Sequence, residues 1–420
     1  MKQMLIVLLV HLQTLVSGQQ FTPVSFTLPA PPSLIGPLSP NYALYNAEKL
    51  HPSKIRGPTS FAFLHGNVYT VTADKRIVNI VTCNPTTIAT LAVTGCRSIA
   101  ECGMLTSIRV DNNGKLVVLD AYKGLYRVDP LTGAIEQLYS STVQVGGRTP
   151  KYLNDIVIKS DGTIFISDSS DKYDAANDMY IILEGRPSGR ILLYSPDTKQ
   201  TTEFIKDGIV YPNGLELAAN ETELLVSEMG RARLVRISLL PSTFRLLSLF
   251  SENLPGLPEN IRRSSRNTFW VGISYVRHSG IPNSMDTYAG NPTARARTAY
   301  SVDQNTIKTY YPKYGLAIEV DSEGKPVGSL HDPTGSVFHS VTEAIENEGL
   351  LYVGSIYNRY TGRIVLPQGD NRMVTIDSVL QVLRSRCQIP EDRLVPARIL
   401  LLQYINQSAA NTTQANPISL

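Results

Sequence analysis

The chain has 420 residues, of which 42% are hydrophobic and 18% are charged, and its formal net charge is +3. A chain of this length and apolar content can bury a large core in one or two domains. The charge argues against nucleic-acid binding, because the net value is small for the length and no Lys/Arg-rich block is present.

The first residues have the features of a targeting segment. An apolar run over residues 4–10, extended to residue 16, is followed by the small residues Ser17 and Gly18. The run is too short for a bilayer span of about 20 residues, and small residues suit a cleavage site, so residues 1–18 are interpreted as a signal peptide. The alternative is an uncleaved anchor, since two polar residues interrupt the apolar core. Either interpretation places the rest of the chain outside the cytosol.

Three N-glycosylation sequons agree with a secreted or extracellular protein. They begin at Asn220, Asn406 and Asn411. Such tripeptides also occur by chance, so each sequon taken alone is a weak indication.

The four cysteines permit two disulfides in an oxidising compartment. Cys96 and Cys102 are close enough in sequence to close a short loop, and we predict this bridge. Cys83 and Cys387 could pair only if the two ends of the chain meet in space. Two free buried thiols are the alternative for that second pair.

Residues 19–56 are rich in proline and serine and show little periodicity, which indicates an irregular N-terminal arm. From residue 57 onward a unit recurs that consists of a turn, a short apolar strand, a loop and a second strand. The first strands of the six units are expected at residues 67–71, 115–119, 164–166, 224–226, 269–271 and 351–353. Radial repetition of short strands with scarcely any helix is typical of a propeller. We therefore predict an all-β fold, a six-bladed β-propeller over residues 57–375.

Two segments depart from the repeat. Residues 275–311 form a polar insertion, expected to be a loop over one face that acts either as a lid or as a tolerated surface insertion. Residues 376–420 are interpreted as a C-terminal extension that ends in a polar, disordered tail.

Three asparagines occupy matching positions in consecutive units: Asn154, Asn213 and Asn260 each precede an apolar strand. The innermost strand of a propeller blade begins at one end of the central channel, so these side chains could meet on the axis. Asp155 and Glu259 adjoin two of them and could supply negative charge. Amide and carboxylate oxygens suit calcium, and the repetition favours a metal site. The alternative is that each asparagine only satisfies the backbone of its turn.

Other catalytic signatures are scarce. The six histidines show no zinc-type spacing, and no nucleophile elbow, Walker loop or dinucleotide fingerprint is present.

Several separated motifs carry a resemblance to a known family. The stretches LNDIVIKSDGTIFISDSSDKY, YPNGLELAANETELLVSE and LPENIRRSSRNTFWVGI occur in order within residues 57–366. They resemble the strictosidine synthase-like family, and most closely its adipocyte plasma membrane-associated protein and hemomucin branch. The resemblance implies a six-bladed propeller, related more distantly to the calcium-dependent paraoxonase arylesterases and lactonases. It also implies a set of calcium ligands in this chain: Asn154, Asn213, Glu259 and Asn260.

The chain departs from the family pattern at the calcium site. Thr59 replaces a carboxylate ligand of the family, and Glu259 replaces the usual aspartate. Weaker metal binding is expected, because calcium affinity follows the charge of the ligands.

The chain also departs at the catalytic positions. The paraoxonase histidines would fall near Thr106 and Ala121, where no histidine exists. The catalytic glutamate of strictosidine synthase aligns with Thr342, and Glu343 is one residue away and is expected on the opposite face of its strand. Strictosidine synthase activity is therefore not expected.

Two hypotheses follow. The first is weak calcium-dependent hydrolysis of a small-molecule ester or lactone, with Asp155 and Glu259 as candidate catalytic carboxylates. The second is a non-catalytic secreted or cell-surface protein that binds a surface ligand and holds a structural calcium. In both, the membrane is a partner only if the N-terminal segment stays uncleaved.

Overall fold

The computed structural model describes residues 21–81, 83–280 and 284–366. The predicted signal peptide, the C-terminal extension, Cys387 and the sequons at Asn406 and Asn411 lie outside these ranges.

Six four-stranded antiparallel sheets form the blades of a β-propeller, which confirms the predicted fold class. In order from the innermost strand outward, blade 1 contains β2 (Phe61–Leu64), β3 (Asn67–Val71), β4 (Arg76–Asn79) and β5 (Thr86–Thr90). Blade 2 contains β6 (Leu105–Val110), β7 (Leu116–Asp120), β8 (Gly124–Val128) and β9 (Ile135–Ser140). Blade 3 contains β10 (Leu153–Ile158), β11 (Ile164–Asp168), β12 (Gly189–Ser195) and β13 (Gln200–Ile209).

The second half of the ring repeats this order. Blade 4 contains β14 (Pro212–Leu217), β15 (Glu223–Glu228), β16 (Arg233–Ser238) and β17 (Leu247–Ser251). Blade 5 contains β18 (Gly256–Arg263), β19 (Phe269–Val276), β20 (Gly315–Val320) and β21 (Pro326–Asp332). Blade 6 contains β22 (Glu343–Asn347), β23 (Leu350–Gly354) and β24 (Thr361–Val365), and its outer strand is β1 (Glu48–Leu50).

The ring is closed by β1, which lies within residues 19–56 and pairs antiparallel with β24. The register places Glu48 opposite Arg363, and the two side chains form an ion pair of 2.7 Å. A strand from the N-terminal side thus completes the last blade, which covers the edge that β24 would otherwise expose.

The apolar core lies between the blades. Six clusters of buried side chains each join one blade to the next: Ala62 with Leu105, Leu119 with Leu153, Val157 with Leu215, Leu234 with Ile261, Trp270 with Ala344, and Tyr352 with Phe61. Alternation along each strand buries both faces of a blade against its neighbours, as stacked sheets require.

Short helices lie in the connections between strands. They are α1 (Ile99–Cys102), α2 (Asp178–Glu184), α3 (Ser284–Tyr288), α4 (Pro292–Ser301) and α5 (Gln304–Thr309), together with four 3-10 turns at Gly36–Leu38, Ala175–Asn177, Met229–Arg231 and Pro241–Thr243. No helix in the described part of the chain is long and apolar enough to cross a membrane.

The insertion in blade 5 contains three of these helices, α3 to α5, and not the plain loop expected from its polar sequence. Local capping explains the difference. Asn291 precedes α4 and accepts a hydrogen bond from the Ala294 amide (2.9 Å), and Asp303 caps α5 by accepting from the amides of Asn305 and Thr306. Such caps satisfy the free amides of a helix start and stabilise helices of low apolar content.

The N-terminal arm fastens the helices α2 and α4 to one face of the ring. The Val24 amide donates to the carbonyl of Glu184 at the end of α2 (2.9 Å), and Arg295 of α4 donates to the Val24 carbonyl. The guanidinium groups of Arg231 and Arg295 both pack against the Phe26 ring, with their Cζ atoms 3.8 and 4.7 Å from its centroid. The arm and the helices therefore form one layer, which we call the helical layer.

Cys96 and Cys102 form a disulfide across α1 with a Cα–Cα distance of 5.1 Å, which confirms the predicted bridge. Cys83 is also disulfide-bonded. The pairing considered for it involves Cys387, which lies outside the described residues.

Candidate functional site

β-Bulges shape the start of four innermost strands. The register of pairing shifts between Leu105 and Ser107, between Leu153 and Ile156, between Pro212 and Leu215, and between Pro258 and Ile261. A bulge adds a residue on one strand and redirects neighbouring side chains. The candidate residues Asn154, Asn213, Glu259 and Asn260 lie within these bulges, at the end of the channel that we call the mouth. Asp155 belongs to the same bulge as Asn154, but its carboxylate belongs to a network deeper in the channel.

The structure brings two of the four predicted metal ligands into direct contact. The Asn213 Nδ2 donates to a carboxylate oxygen of Glu259 over 2.7 Å. Gly214 permits this approach, because a Cβ at this position would stand 2.6 Å from the Glu259 carbonyl oxygen and from the Asn260 Cα. Asn260 donates to Glu343 over 3.0 Å, and Asn154 donates to the Ser169 hydroxyl over 3.2 Å.

The chemistry of these side chains fits a hard cation. All three asparagines are buried and use Nδ2 as a hydrogen-bond donor, which leaves their Oδ1 atoms as the acceptors. The Asn213 Oδ1 is fully buried and has no hydrogen-bond partner among the described residues. A buried acceptor without a donor is costly, and a cation would satisfy it.

Carboxylates and histidines alone do not form a metal site in the described ranges, where no group of three or more His, Cys, Asp or Glu is placed to hold an ion. A metal at the mouth would therefore depend on amide oxygens together with Glu259. Thr59, which replaces a carboxylate ligand of the family, is buried, and its hydroxyl lies 3.5 Å from the Leu105 carbonyl.

Glu259 is the acidic group at the mouth. Burial raises its pKa to about 7, against the hydrogen bond from Asn213, and the nearby Asp178 raises it further. Asp178 of α2 pairs with Lys308 of α5 (2.9 Å), so these two helices place one acidic and one basic side chain beside Glu259. Burial would lower the pKa of Lys308, but Asp178, together with Tyr357 and Glu259, outweighs this effect and raises the pKa.

Tyrosines surround the mouth beneath the helical layer. The rings of Tyr152 and Tyr211 are 5.9 Å apart and their hydroxyls are hydrogen-bonded, and Tyr275 lies 4.4 Å from Tyr311 between centroids. Burial raises the pKa of Tyr275, and the hydroxyl of Tyr357 bonds to it. The mouth is thus walled by aromatic rings with polar edges.

Deeper in the channel, Arg262 joins two carboxylates. Its Nη1 and Nη2 lie 2.8 and 3.1 Å from the two oxygens of Asp155, and Nη2 also contacts Glu343. All three side chains are at most 1% exposed. Burial alone would raise the pKa of Asp155, but Arg262 and Arg109 hold it below its ordinary value.

The pKa of Glu343 is raised, because burial outweighs the effect of the two arginines. This residue was expected to face away from the aligned catalytic position. The structure places it in the channel, where it accepts hydrogen bonds from the Ser60 hydroxyl (3.0 Å) and the Phe61 amide (2.7 Å).

Asp155, one of the two candidate catalytic carboxylates, is therefore buried in an ion-paired network below the mouth. Thr106 and Ala121 are buried at the positions where paraoxonases carry histidines, and the Thr342 hydroxyl donates to the Thr59 carbonyl (3.3 Å). Sequence reasoning missed Arg262, although its place two residues after Asn260 on the same strand was the signal for a channel position.

Comparison with known proteins places the chain in a family. It is 35% identical over 348 residues to the adipocyte plasma membrane-associated protein of Danio rerio, covering 82% of this chain and 84% of that one. The human protein of the same name is 34% identical over 348 residues, covering 82% and 83%. The chain belongs to the adipocyte plasma membrane-associated protein family. Drosophila melanogaster hemomucin, a further member, is 26% identical over 404 residues, covering 87% of this chain and 69% of hemomucin.

A family profile and two solved structures also resemble this member of the adipocyte plasma membrane-associated protein family. The strictosidine synthase family profile matches residues 154–239, a range that includes Asn154 and Asn213. A gluconolactonase from Xanthomonas campestris superposes with a TM-score of 0.52 at 13% identity, over 82% of this chain and 99% of that one. The calcium-binding protein regucalcin from Agrobacterium tumefaciens gives 0.51 at 11% identity, over 76% and 94%. These two likenesses concern the fold.

Proposed function

We propose that this protein is an extracytoplasmic, calcium-dependent hydrolase of small esters or lactones, with its site at the mouth of the channel. The observation that carries the proposal is the buried Asn213 Oδ1, which lacks a donor while its amide nitrogen is fixed by Glu259. The calcium binding named for regucalcin and the lactonase activity named for the Xanthomonas protein support it, since both share the propeller fold.

Four side chains would hold the ion: Asn154, Asn213 and Asn260 through amide oxygens, and Glu259 through its carboxylate. Bound calcium would polarise a substrate carbonyl and stabilise the negative charge that develops on its oxygen. The tyrosines and the helical layer above the mouth would orient the substrate and restrict access of water.

General-base catalysis is weak in this arrangement. Asp155 is fully buried in its pair with Arg262, and no histidine stands at Thr106 or Ala121. Glu259 is the remaining carboxylate, and a carboxylate that binds a cation is a poor base because the cation stabilises its charged form. Slow turnover is therefore expected. Thr342 stands where strictosidine synthase has its catalytic glutamate, so alkaloid-forming condensation is not proposed.

The experiment is a hydrolysis assay with aryl acetates and lactones on purified mature protein, with calcium and with chelator. We expect slow hydrolysis that chelation abolishes and that Asn213→Ala strongly reduces. The matched control is Asn112→Ala, which changes an exposed asparagine that bonds to the Ser160 carbonyl. Hydrolysis that survives both chelation and Asn213→Ala contradicts the proposed site.

A second candidate is a non-catalytic binding protein in which calcium is only structural. It is favoured by the burial of Asp155, which leaves Glu259 as the one candidate carboxylate at the mouth. In this case the protein binds calcium, and hydrolysis of every ester and lactone stays at the rate of buffer.

The proposed location is the secretory route, with release after removal of residues 1–18 or retention on the membrane by the same segment. Its relatives are named for an association with the plasma membrane. A small-molecule ester or lactone, or a surface ligand under the second candidate, is the proposed partner.

A further inference from the structure

The channel contains, below the mouth, two carboxylates and one guanidinium that are almost entirely removed from solvent. Asp155 and Glu343 are 0% exposed, and Arg262 is 1% exposed. Arg262 is the group that touches both carboxylates, with distances of 2.8 and 3.1 Å to Asp155. Arg109 approaches Asp155 from the side at 3.5 Å and is 13% exposed.

Charge makes a cation necessary at this point. Two carboxylates without a positive partner would be strongly destabilised in such a dry environment. Neutral donors satisfy part of the demand, since Asp155 accepts from the Ser107 hydroxyl (2.5 Å) and the Leu215 amide (2.8 Å). Hydrogen bonds from neutral groups do not cancel two formal charges. Arg262, which touches both carboxylates, and Arg109, which approaches Asp155, together supply two positive charges.

The same network fixes the proposed ligands above it. Glu343 contacts Arg262 on one side, and on the other side it accepts a hydrogen bond from the side-chain Nδ2 of Asn260 (3.0 Å). Asp155 follows Asn154 directly, and its second oxygen accepts from Leu215, two residues after Asn213. Each asparagine is thus connected to the pair of carboxylates that Arg262 contacts. Asn260 is connected by a side-chain hydrogen bond, and the other two are connected through the adjoining backbone.

We propose that the Arg262 guanidinium is the built-in structural cation of the channel, in a place where an acidic pair would otherwise need a divalent ion. The protein then binds one calcium ion, at the mouth, and Arg262 acts as a positioning residue for the asparagines around it. The part of this inference that concerns the calcium ion at the mouth rests on the proposed function. The role of Arg262 below the mouth does not depend on it.

The test counts calcium ions on the full mature chain. Chelator-treated protein is titrated with calcium alone in a calorimeter, and its melting temperature is recorded with and without calcium. The wild-type protein is expected to bind one ion. Arg262→Met, which leaves Glu343 without an ion-pair partner and Asp155 with Arg109 alone, is expected to melt at a lower temperature, to bind two ions, and to gain more from calcium than the wild type.

Two further variants make the result specific. Adding Asp155→Asn to Arg262→Met removes one of the two carboxylates and should return the count to one. Arg266→Met is the matched control, because this arginine of blade 5 is 46% exposed and pairs with Glu319 at the surface. It should leave both the count and the calcium-dependent shift at their wild-type values.

Arg262→Lys gives the answer if the methionine variant does not fold, since it keeps the positive charge but not the forked geometry. We expect a lower melting temperature and still one ion. Two ions on the wild-type or Arg262→Lys protein would overturn the inference, as would Arg262→Met with no additional response to calcium. A wild-type count of zero with a new calcium response in Arg262→Met would refute the site at the mouth and support the role of Arg262.

Discussion

Asn213 donates its amide hydrogen to Glu259 over 2.7 Å, and this bond orients the Asn213 Oδ1 into a buried position where the described residues offer no donor. An asparagine that merely closed its turn would use the oxygen for a backbone amide. The contact between blades 4 and 5 therefore favours a ligand at the mouth over a purely local role.

Calcium is accordingly expected to raise the melting temperature, because an ion that binds only the folded chain stabilises it by about 2.7 kcal/mol at 100 times the dissociation constant. Asn213→Ala and Asn154→Ala should each remove much of this increase, whereas Asn112→Ala should keep it. Differential scanning fluorimetry with calcium or chelator measures the shift. A melting curve that chelator leaves unmoved, in protein free of bound metal, would refute the site.

Loss of the Asp155 carboxylate should severely destabilise the fold. Asp155→Ala leaves the buried Arg262 with one partner fewer, and breaking a buried pair costs about 3–5 kcal/mol. Asp161→Ala is the control, since this aspartate lies in the turn of the same hairpin, pairs with Lys159 and is 53% exposed. Its cost should stay below about 1 kcal/mol. Equal costs in urea unfolding would show that the channel network contributes little.

The buried His331 should make stability depend on acidity. Burial and the neighbouring His278 lower its pKa to about 4 from 6.5, while its ring nitrogens bond to the Tyr314 hydroxyl and the Ser329 hydroxyl at 2.8 Å each. Between pH 6.5 and pH 4 the unfolded chain takes up a proton that the folded chain does not. The free energy of unfolding therefore falls as the pH falls through this window.

His331→Gln should flatten this part of the stability profile, by up to roughly 3 kcal/mol across the window. The exposed His65 supplies the control, because His65→Asn should leave the slope unchanged. Urea unfolding at a series of pH values gives both slopes. An identical slope in the wild type and in His331→Gln would assign the acid sensitivity to other groups.

The Cys96–Cys102 bridge should add modest stability. Closing so short a loop removes conformational freedom from the unfolded chain, worth about 2 kcal/mol in the loop-entropy description. Replacing both cysteines by serine should cost about that amount, and peptide mapping without reduction should recover the two cysteines linked. Alkylation of both in unfolded, unreduced protein would contradict the bridge.

The sequon at Asn220 tests the proposed secretory route. Asn220 is exposed in the turn between β14 and β15, where its side-chain oxygen accepts from Thr222 (2.7 Å). Protein made in a eukaryotic secretory system should lose mass on treatment with a glycosidase, and Asn220→Gln should remove one glycan. A mass equal to that of the bare chain would contradict glycosylation.

The propeller could be predicted from the sequence because each blade repeats the same local pattern of turn residues and short apolar strands. The turn at residues 160–162 joins β10 to β11, with Gly162 at φ 86°, a conformation that suits glycine. The strands expected at residues 164–166 and 269–271 lie within β11 and β19. Local signals of this kind do not depend on distant contacts.

Other features depend on contacts that one sequence does not display. The partner of Asn260 is Glu343, 83 residues away, and the strand register that joins them is set by neighbouring blades. In the sequence, Arg262 resembles any arginine of an alternating strand, because its partner Asp155 lies 107 residues earlier. The helices of the blade 5 insertion were missed because their sequence lacks an apolar stripe, and caps rather than burial define their ends.

The closure of the ring by β1 has a consequence for the order in which the chain can assemble. Glu48 and its partner Arg363 are 315 residues apart, so the contact that completes blade 6 forms only after nearly the whole propeller has been synthesised. Until then the growing protein carries an unpaired strand edge at each end of an open arc, and such edges associate readily with other chains. Bringing such distant strands together is entropically slow, so we expect the pairing of β1 with β24 to be among the last steps of folding.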